Sequence, residues 1–174
     1  MLRKNEFSGL SFYDQRTIWW DDNSKSVAMI DQTLLPLEVK FVQSRNVSDL
    51  IEAIKTMKVR GAPAIGVAGA MGVALSVVSS GAQTKAELLT HVRKDAEQIR
   101  SARPTAVNLA WGVDASLKFL EDALPEDFGK EEAENVIVGF VKELAESDVR
   151  VNKKLSNLGA KLFRNEDSVL THCN

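Results

Sequence analysis

The sequence predicts an α+β protein: an N-terminal β-meander, then a helical bundle, then one terminal strand. Three observations carry this. Residues 17–44 hold short apolar stretches set around a turn-rich spacer. From Leu50 to Leu162, apolar residues recur at spacings of three and four, the helical period. Near its end the chain has Ser168-Val-Leu-Thr-His-Cys173, a short apolar run before Asn174 that reads as a strand.

In the meander, Thr17–Trp20 and Val27–Ile30 flank the spacer Asp21-Asp-Asn-Ser-Lys-Ser26, and Leu37–Val42 alternates apolar and polar residues as a half-buried strand does. Asn46 or Ser48 caps a first helix with Leu50, Ile51, Ile54 and Met57 inward. Pro63 opens a second helix, where its missing N–H costs nothing, and that helix runs to about Ser79 before Gly81. Gly66, Ala70 and Ala74 share one face of it, as do Gly69 and Val73, so another backbone can approach closely. The same spacing occurs in membrane dimer motifs, but the flanks favour a buried core helix.

Thr84-Lys-Ala-Glu87 is a capping-box pattern opening a third helix, with Leu88, Leu89, Val92, Ala96 and Ile99 inward. Arg103-Pro104 ends it, because the residue before proline disfavours helix. A fourth helix is expected from near Thr105 to before Pro125. Lys130–Arg164 reads as one long helix or two. Ile137, Phe140, Val141, Leu144, Val151, Leu155, Leu158 and Leu162 form its apolar stripe. Asn165–Asp167 is a turn before the final strand.

Composition narrows the function. With 174 residues, 44% hydrophobic and 26% charged, the chain suits one ordinary soluble domain. A net charge of −2, with Lys and Arg spread out, gives no support to nucleic-acid or membrane-surface binding. The apolar stretch Ala62–Val78 is short for a membrane span, and no signal-peptide core follows Met1. A lone cysteine cannot form an internal disulfide, which fits the cytoplasm.

Arg60-Gly61-Ala62-Pro63 stands directly before a helix start. Unpaired N–H groups and the positive end of the helix dipole make such a start an anion site. Gly61 permits close backbone approach, and Arg60 can grip a phosphate with two bonds. Taken alone, the segment also fits a plain loop with a solvated arginine. It is neither a P-loop nor a dinucleotide fingerprint. Arg103-Pro104-Thr105 repeats the arrangement, so two such corners can converge on one ligand. Cys173 at a strand end fits either buried filler or a reactive group, since ligands in open α/β sheets bind beyond the carboxyl ends of strands. His172 points to the opposite face of that strand and makes a poor partner for it. His91 reads as solvated, Asp31-Gln32 as a turn in preference to the rim of a site, and Trp19, Trp20 and Trp111 as core or partner-facing residues.

Ile30-Asp-Gln-Thr-Leu-Leu-Pro36, Lys58-Val-Arg-Gly-Ala-Pro-Ala-Ile-Gly66, Ser101-Ala-Arg-Pro-Thr-Ala-Val-Asn-Leu-Ala-Trp111 and Leu170-Thr-His-Cys-Asn174 together resemble the methylthioribose-1-phosphate isomerase family of methionine salvage. Its superfamily includes ribose-1,5-bisphosphate isomerase and the regulatory subunits of eukaryotic initiation factor 2B. Pro63 and Asn174 resemble the methylthioribose branch; the bisphosphate branch has glycine and histidine there. The resemblance implies that Arg60, Gly61, Ala62 and Arg103 bind the sugar phosphate substrate and that Cys173 is catalytic. It divides the chain into a domain over 1–165 and, at 166–174, the first strand of a Rossmann-like domain that is otherwise missing and carries a partner aspartate.

The implied reaction is an aldose–ketose isomerisation without metal or organic cofactor, by a homodimer when full-length. A fragment that ends at Asn174 is expected to be inactive alone. The rival reading is a non-catalytic regulatory or assembly subunit, which needs neither sugar phosphate binding nor Cys173.

Overall fold

The structure is a computed structural model that describes residues 16–171. Its small sheet holds strands β1 (Ile18–Asp21), β2 (Ser26–Ile30) and β3 (Phe41–Ser44), antiparallel in the order β1-β2-β3. Trp20 pairs with Val27 and Met29 with Val42. The turn between β1 and β2 is built by Asp21, whose carboxylate accepts from the Asn23 amide and the Ser24 hydroxyl. The Ser24 bond, with the others, holds the Asp21 carboxyl below its usual range.

The third strand starts later than its alternation predicts. Leu37 and Val39 are exposed, and pairing begins only at Phe41. β2 ends at Ile30 and the chain turns at once through a 3-10 segment, Gln32–Leu34, capped by Asp31. Residues 37–39 therefore have no β2 residue to pair with, and alternation without a neighbouring strand does not make a ladder. The turn reading of Asp31-Gln32 holds: Asp31 is buried and accepts from both the amide and hydroxyl of Thr33.

Among the described residues five α-helices follow: α1 (Val47–Lys55), α2 (Ala62–Ser79), α3 (Lys85–Ala102), α4 (Val107–Ala123) and α5 (Lys130–Gly159). Asn46 caps α1 by accepting from the Asp49 amide at 2.8 Å. Leu50 and Ile54 are buried as the spacing predicts, but Met57 is not. It lies past the end of α1 in the left-handed region (φ 60°), where it reverses the chain instead of packing inward. The capping box of α3 forms as read, with Thr84 and Glu87 bonding each other's backbone amides. Those bonds, first the one from Gln83, hold the Glu87 carboxyl below its usual range.

α2 is the centre of the molecule. Every residue from Ile65 to Val77 is buried. By length and composition it could cross a membrane, yet 72% of it is enclosed by the rest of the fold, as a core helix is. α1, α3, α4, α5 and the sheet all pack on it. The small-residue stripe serves α4. A Cβ on Gly69 would stand 2.7 Å from the Leu109 carbonyl oxygen, and one on Gly112 only 2.0 Å from the Gly66 carbonyl oxygen.

The stretch from Lys130 forms one 30-residue helix with a final 3-10 turn at Ala160–Leu162. Ion pairs fasten the meander to it: Arg16 to Glu146 at 2.9 Å, Lys142 to Asp22 at 2.8 Å, and Lys25 to the buried Glu134 at 2.5 Å. Ile137 and Val141 are core residues, but the second half of the predicted stripe is not. Val151, Leu155, Leu158 and Leu162 stand exposed, because α5 runs on past the helices that cover its first half. Residues 168–171 form no strand, as β-structure requires a hydrogen-bonding neighbour and the sheet has only β1–β3. The remainder of the expected strand, His172–Asn174 with Cys173, lies outside the described residues.

Candidate functional site

The site is laid out by the way α2 and α4 pack. Asn108 donates its side-chain amide to the Ala62 carbonyl at 3.0 Å, and Gly112 meets Gly66. Both contacts pair residues 46 apart, so the two helices run in the same direction with their N-termini side by side. α1 and α3 are capped by their own side chains, Asn46 and Thr84. Neither α2 nor α4 has a side-chain cap. The positive ends of two helix dipoles therefore meet at one end of the molecule, with no side chain of their own closing them.

Gly61 is the residue before α2 and has φ 92°, a conformation that L side chains rarely adopt. A Cβ there would touch nothing within 4 Å, so the need for glycine is conformational and the space in front of the helix is open. Arg60 is held from behind. The Gln32 amide donates to the Lys58 carbonyl at 2.9 Å, and the Gln32 side chain donates to the Arg60 carbonyl at 3.2 Å. Sequence reading placed Gln32 in a turn and missed this bracing role. A single long-range pairing of this kind leaves no local pattern to find.

Two clefts border the α2 N-terminus. The smaller, about 270 Å³, is lined by Arg16, Arg60, Gly61, Pro63 and residues of α5 around Asp148. The larger, about 660 Å³, runs between α2, α4 and α5 past Asn108, Trp111 and Phe140. Pro63, Val67 and Asp148 belong to both, so the two are contiguous. Chemically this is a corner lined by two arginines, Arg16 and Arg60, and one carboxylate, Asp148, opening onto a largely apolar trough.

Arg60 and Gly61 line this corner; Ala62, the first residue of α2, lines neither cleft, and its carbonyl accepts from the Asn108 side chain. Arg103 lines neither cleft. It ends α3, and α4 begins three residues beyond Pro104, at Val107, where Thr105 was expected. Pro104-Thr105 forms a turn, so the second corner is an arginine ahead of a loop, not of a proline-started helix. Trp111 is more than half exposed at the mouth of the larger cleft, while Trp20 is in the core and Trp19 packs edge-on against Phe41. His91 is not simply solvated. Its Nε2 is enclosed and lies 3.4 Å from the Asp95 carboxylate, without the alignment of a hydrogen bond.

The chain is similar to several known proteins. The chain is 37% identical over 158 residues to methylthioribose-1-phosphate isomerase of Carboxydothermus hydrogenoformans, matching 91% of this chain and 44% of that protein. It is 38% identical over 157 residues to 5-deoxyribose 1-phosphate isomerase of Moorella thermoacetica, matching 90% of this chain and 44% of that one. Among solved structures, it superposes on subunit delta of the translation initiation factor eIF-2B from A. fulgidus with a TM-score of 0.79 at 40% identity, over 91% of this chain and 45% of that one. It superposes on 5-methylthioribose 1-phosphate isomerase from Pyrococcus horikoshii OT3 with a TM-score of 0.76 at 38% identity, over 85% of this chain and 40% of that one. The chain thus spans less than half the length of these relatives. The family model described as initiation factor 2 subunit family matches residues 58–174, from the loop before Arg60 onward. By that match and these identities, the chain belongs to the initiation factor 2 subunit family.

Proposed function

We propose that this chain is the substrate-phosphate-holding part of an aldose–ketose sugar phosphate isomerase, with methylthioribose 1-phosphate as substrate and methylthioribulose 1-phosphate as product. One observation carries the reading: α2 starts without a side-chain cap directly behind Arg60 and Gly61, which line an open corner, and the equally uncapped start of α4 lies beside it. The names of the relatives from Carboxydothermus, Moorella and Pyrococcus support it.

In this reading Arg60, Gly61 and Ala62 bind the phosphate and Arg103 closes on it from the α3–α4 loop. The phosphate on C1 blocks ring opening, so the site must assist that step. An acid–base pair then moves hydrogen from C2 to C1, by an enediol or as a hydride. Cys173 is one member of the pair. The other is an aspartate of a Rossmann-like continuation that begins at residues 166–174 and corresponds to the length by which the relatives exceed this chain. The bare stripe Val151, Leu155, Leu158 and Leu162 is the face on which that domain packs. The complete protein is a cytoplasmic homodimer, and the chain ending at Asn174 is inactive by itself.

The likeness to eIF-2B subunit delta favours a second reading, a non-catalytic regulatory subunit. The two separate on Arg60. In a version continued to the length of its relatives, Arg60→Ala should weaken sugar phosphate binding by roughly 1.5–3 kcal/mol, the range for a hydrogen bond to a charged group. Titration calorimetry reads this directly. Unchanged affinity in both Arg60→Ala and Arg103→Ala would remove the phosphate corner and leave the regulatory reading.

A further inference from the structure

We infer that Gln32 is a positioning residue of the phosphate corner: it locks the peptide between Arg60 and Gly61 in the orientation that turns the Gly61 N–H toward the anion. The inference rests on the sugar phosphate reading above and adds to it what sets that donor in place.

The loop that carries the corner is short and sharply bent. Between α1 and α2 it holds two left-handed residues, Met57 at φ 60° and Gly61 at φ 92°. Its first amides are tied back to α1: Thr56 donates to the Glu52 carbonyl and Lys58 to the Ala53 carbonyl, each at 2.9 Å. Among the described residues, the next ties both come from Gln32. Its main-chain amide donates to the Lys58 carbonyl at 2.9 Å and its side chain to the Arg60 carbonyl at 3.2 Å. Gln32 is itself held in place. Asp31 beside it accepts from the Thr33 amide and hydroxyl, and donates its own amide to the Lys40 carbonyl at 2.8 Å.

The side-chain bond does something the main-chain bond cannot. The Arg60–Gly61 peptide is trans and planar, so its C=O and N–H point in opposite directions. Gln32 lines neither cleft, whereas Arg60 and Gly61 line the corner. With the Arg60 carbonyl drawn back onto Gln32, the Gly61 N–H faces the other way, on the open side. It donates to none of the described residues. One residue later α2 begins, with unpaired amides of its own and no side-chain cap.

Glycine makes this orientation optional. A flip of the peptide would carry Gly61 from φ 92° to a negative φ, and glycine takes either sign about equally readily. The flipped peptide would present the Arg60 carbonyl oxygen to the corner, where it repels a phosphate. The Gln32 bond selects between the two. Without it the competent fraction falls, and the apparent affinity falls by the same factor. The fold loses little, because the released carbonyl meets water at the open corner.

The test uses the 174-residue chain, labelled with nitrogen-15 and titrated with methylthioribose 1-phosphate, beside thermal melts without ligand. In the parent chain the Gly61 amide should be among the signals that shift most. Gln32→Met keeps the side chain's length and the main-chain bond to Lys58 but removes the donor. It should melt close to the parent, bind about tenfold more weakly, the scale of one hydrogen bond, and lose the Gly61 shift. Gly61→Ala places its methyl in empty space but disfavours the left-handed φ, so it should weaken binding comparably. The double variant should bind no more weakly than Gly61→Ala alone, because both changes act on one peptide.

Gln32→Met that binds as tightly as the parent, while Arg60→Ala binds weakly, overturns the inference and spares the sugar phosphate reading. So do losses from Gln32→Met and Gly61→Ala that multiply in the double variant, or a Gly61 amide that shifts in Gln32→Met as it does in the parent. The underlying reading fails separately, if Arg60→Ala leaves the affinity unchanged.

Discussion

Gly112→Ala should destabilise the fold by about 2 kcal/mol or more, although alanine is the better helix former by about 1 kcal/mol. The added methyl would stand 2.0 Å from the Gly66 carbonyl oxygen, 2.8 Å from its carbonyl carbon and 3.2 Å from its Cα. All three are backbone atoms of a helix buried on every side, so no side chain can rotate away. α2 and α4 must separate. That separation opens the packing of Leu109 and Val113 along the same seam and moves the two helix N-termini that form the site. Gly129→Ala makes the control, because nothing lies within 4 Å of the added atom. Urea denaturation of the 174-residue chain reads both. Equal stability of Gly112→Ala and the parent chain would mean that the α2–α4 seam is not as close as described.

Cys173→Ser should leave the fold intact and lower turnover by about 10²-fold or more in a protein continued to the length of its relatives, the scale of removing a general acid or base. Among the described residues the buried core runs from β1 to α5 and has no member after Val141, and Cys173 itself lies outside the described residues. A serine hydroxyl has nearly the size of the thiol but gives up its proton far less readily, so the change tests proton or hydride handling and not packing. Steady-state assay beside a thermal melt separates the two effects. Near-normal turnover in a well-folded variant would take Cys173 out of the chemistry.

What the sequence discloses about this fold follows from how local each feature is. The capping box at Thr84–Glu87 is complete within four residues, and it forms as read. The small residues Gly66, Ala70 and Ala74, and Gly69 beside them, on a largely apolar helix indicate close backbone approach, and α4 supplies it at Gly66 and Gly69. Features that depend on a distant partner are not local. Alternation places β3 at Leu37–Val42, but its position is set by where β2 ends. The proline rule starts α4 near Thr105, but Pro104 belongs to the turn and the helix waits for Val107.

The stripe on α5 shows the same limit. Its period identifies an apolar face, and the period is equally regular over Val141, which is covered, and Leu155, which is bare. At the site, Arg60-Gly61-Ala62 was readable because glycine and proline punctuate a helix start. The bracing by Gln32 and the exposure of Trp111 were not, since each is a relation between residues 28 or 45 positions apart.

The most direct measurement is the fate of methylthioribose 1-phosphate with the chain continued to the length of its relatives, followed by proton NMR. The account predicts conversion to methylthioribulose 1-phosphate by the continued protein and none by the 174-residue chain alone. A folded, continued protein that binds no sugar phosphate and leaves it unchanged would contradict the account and favour the regulatory reading. Clear conversion by the 174-residue chain alone would contradict it from the other side, by placing the whole catalytic set within these residues.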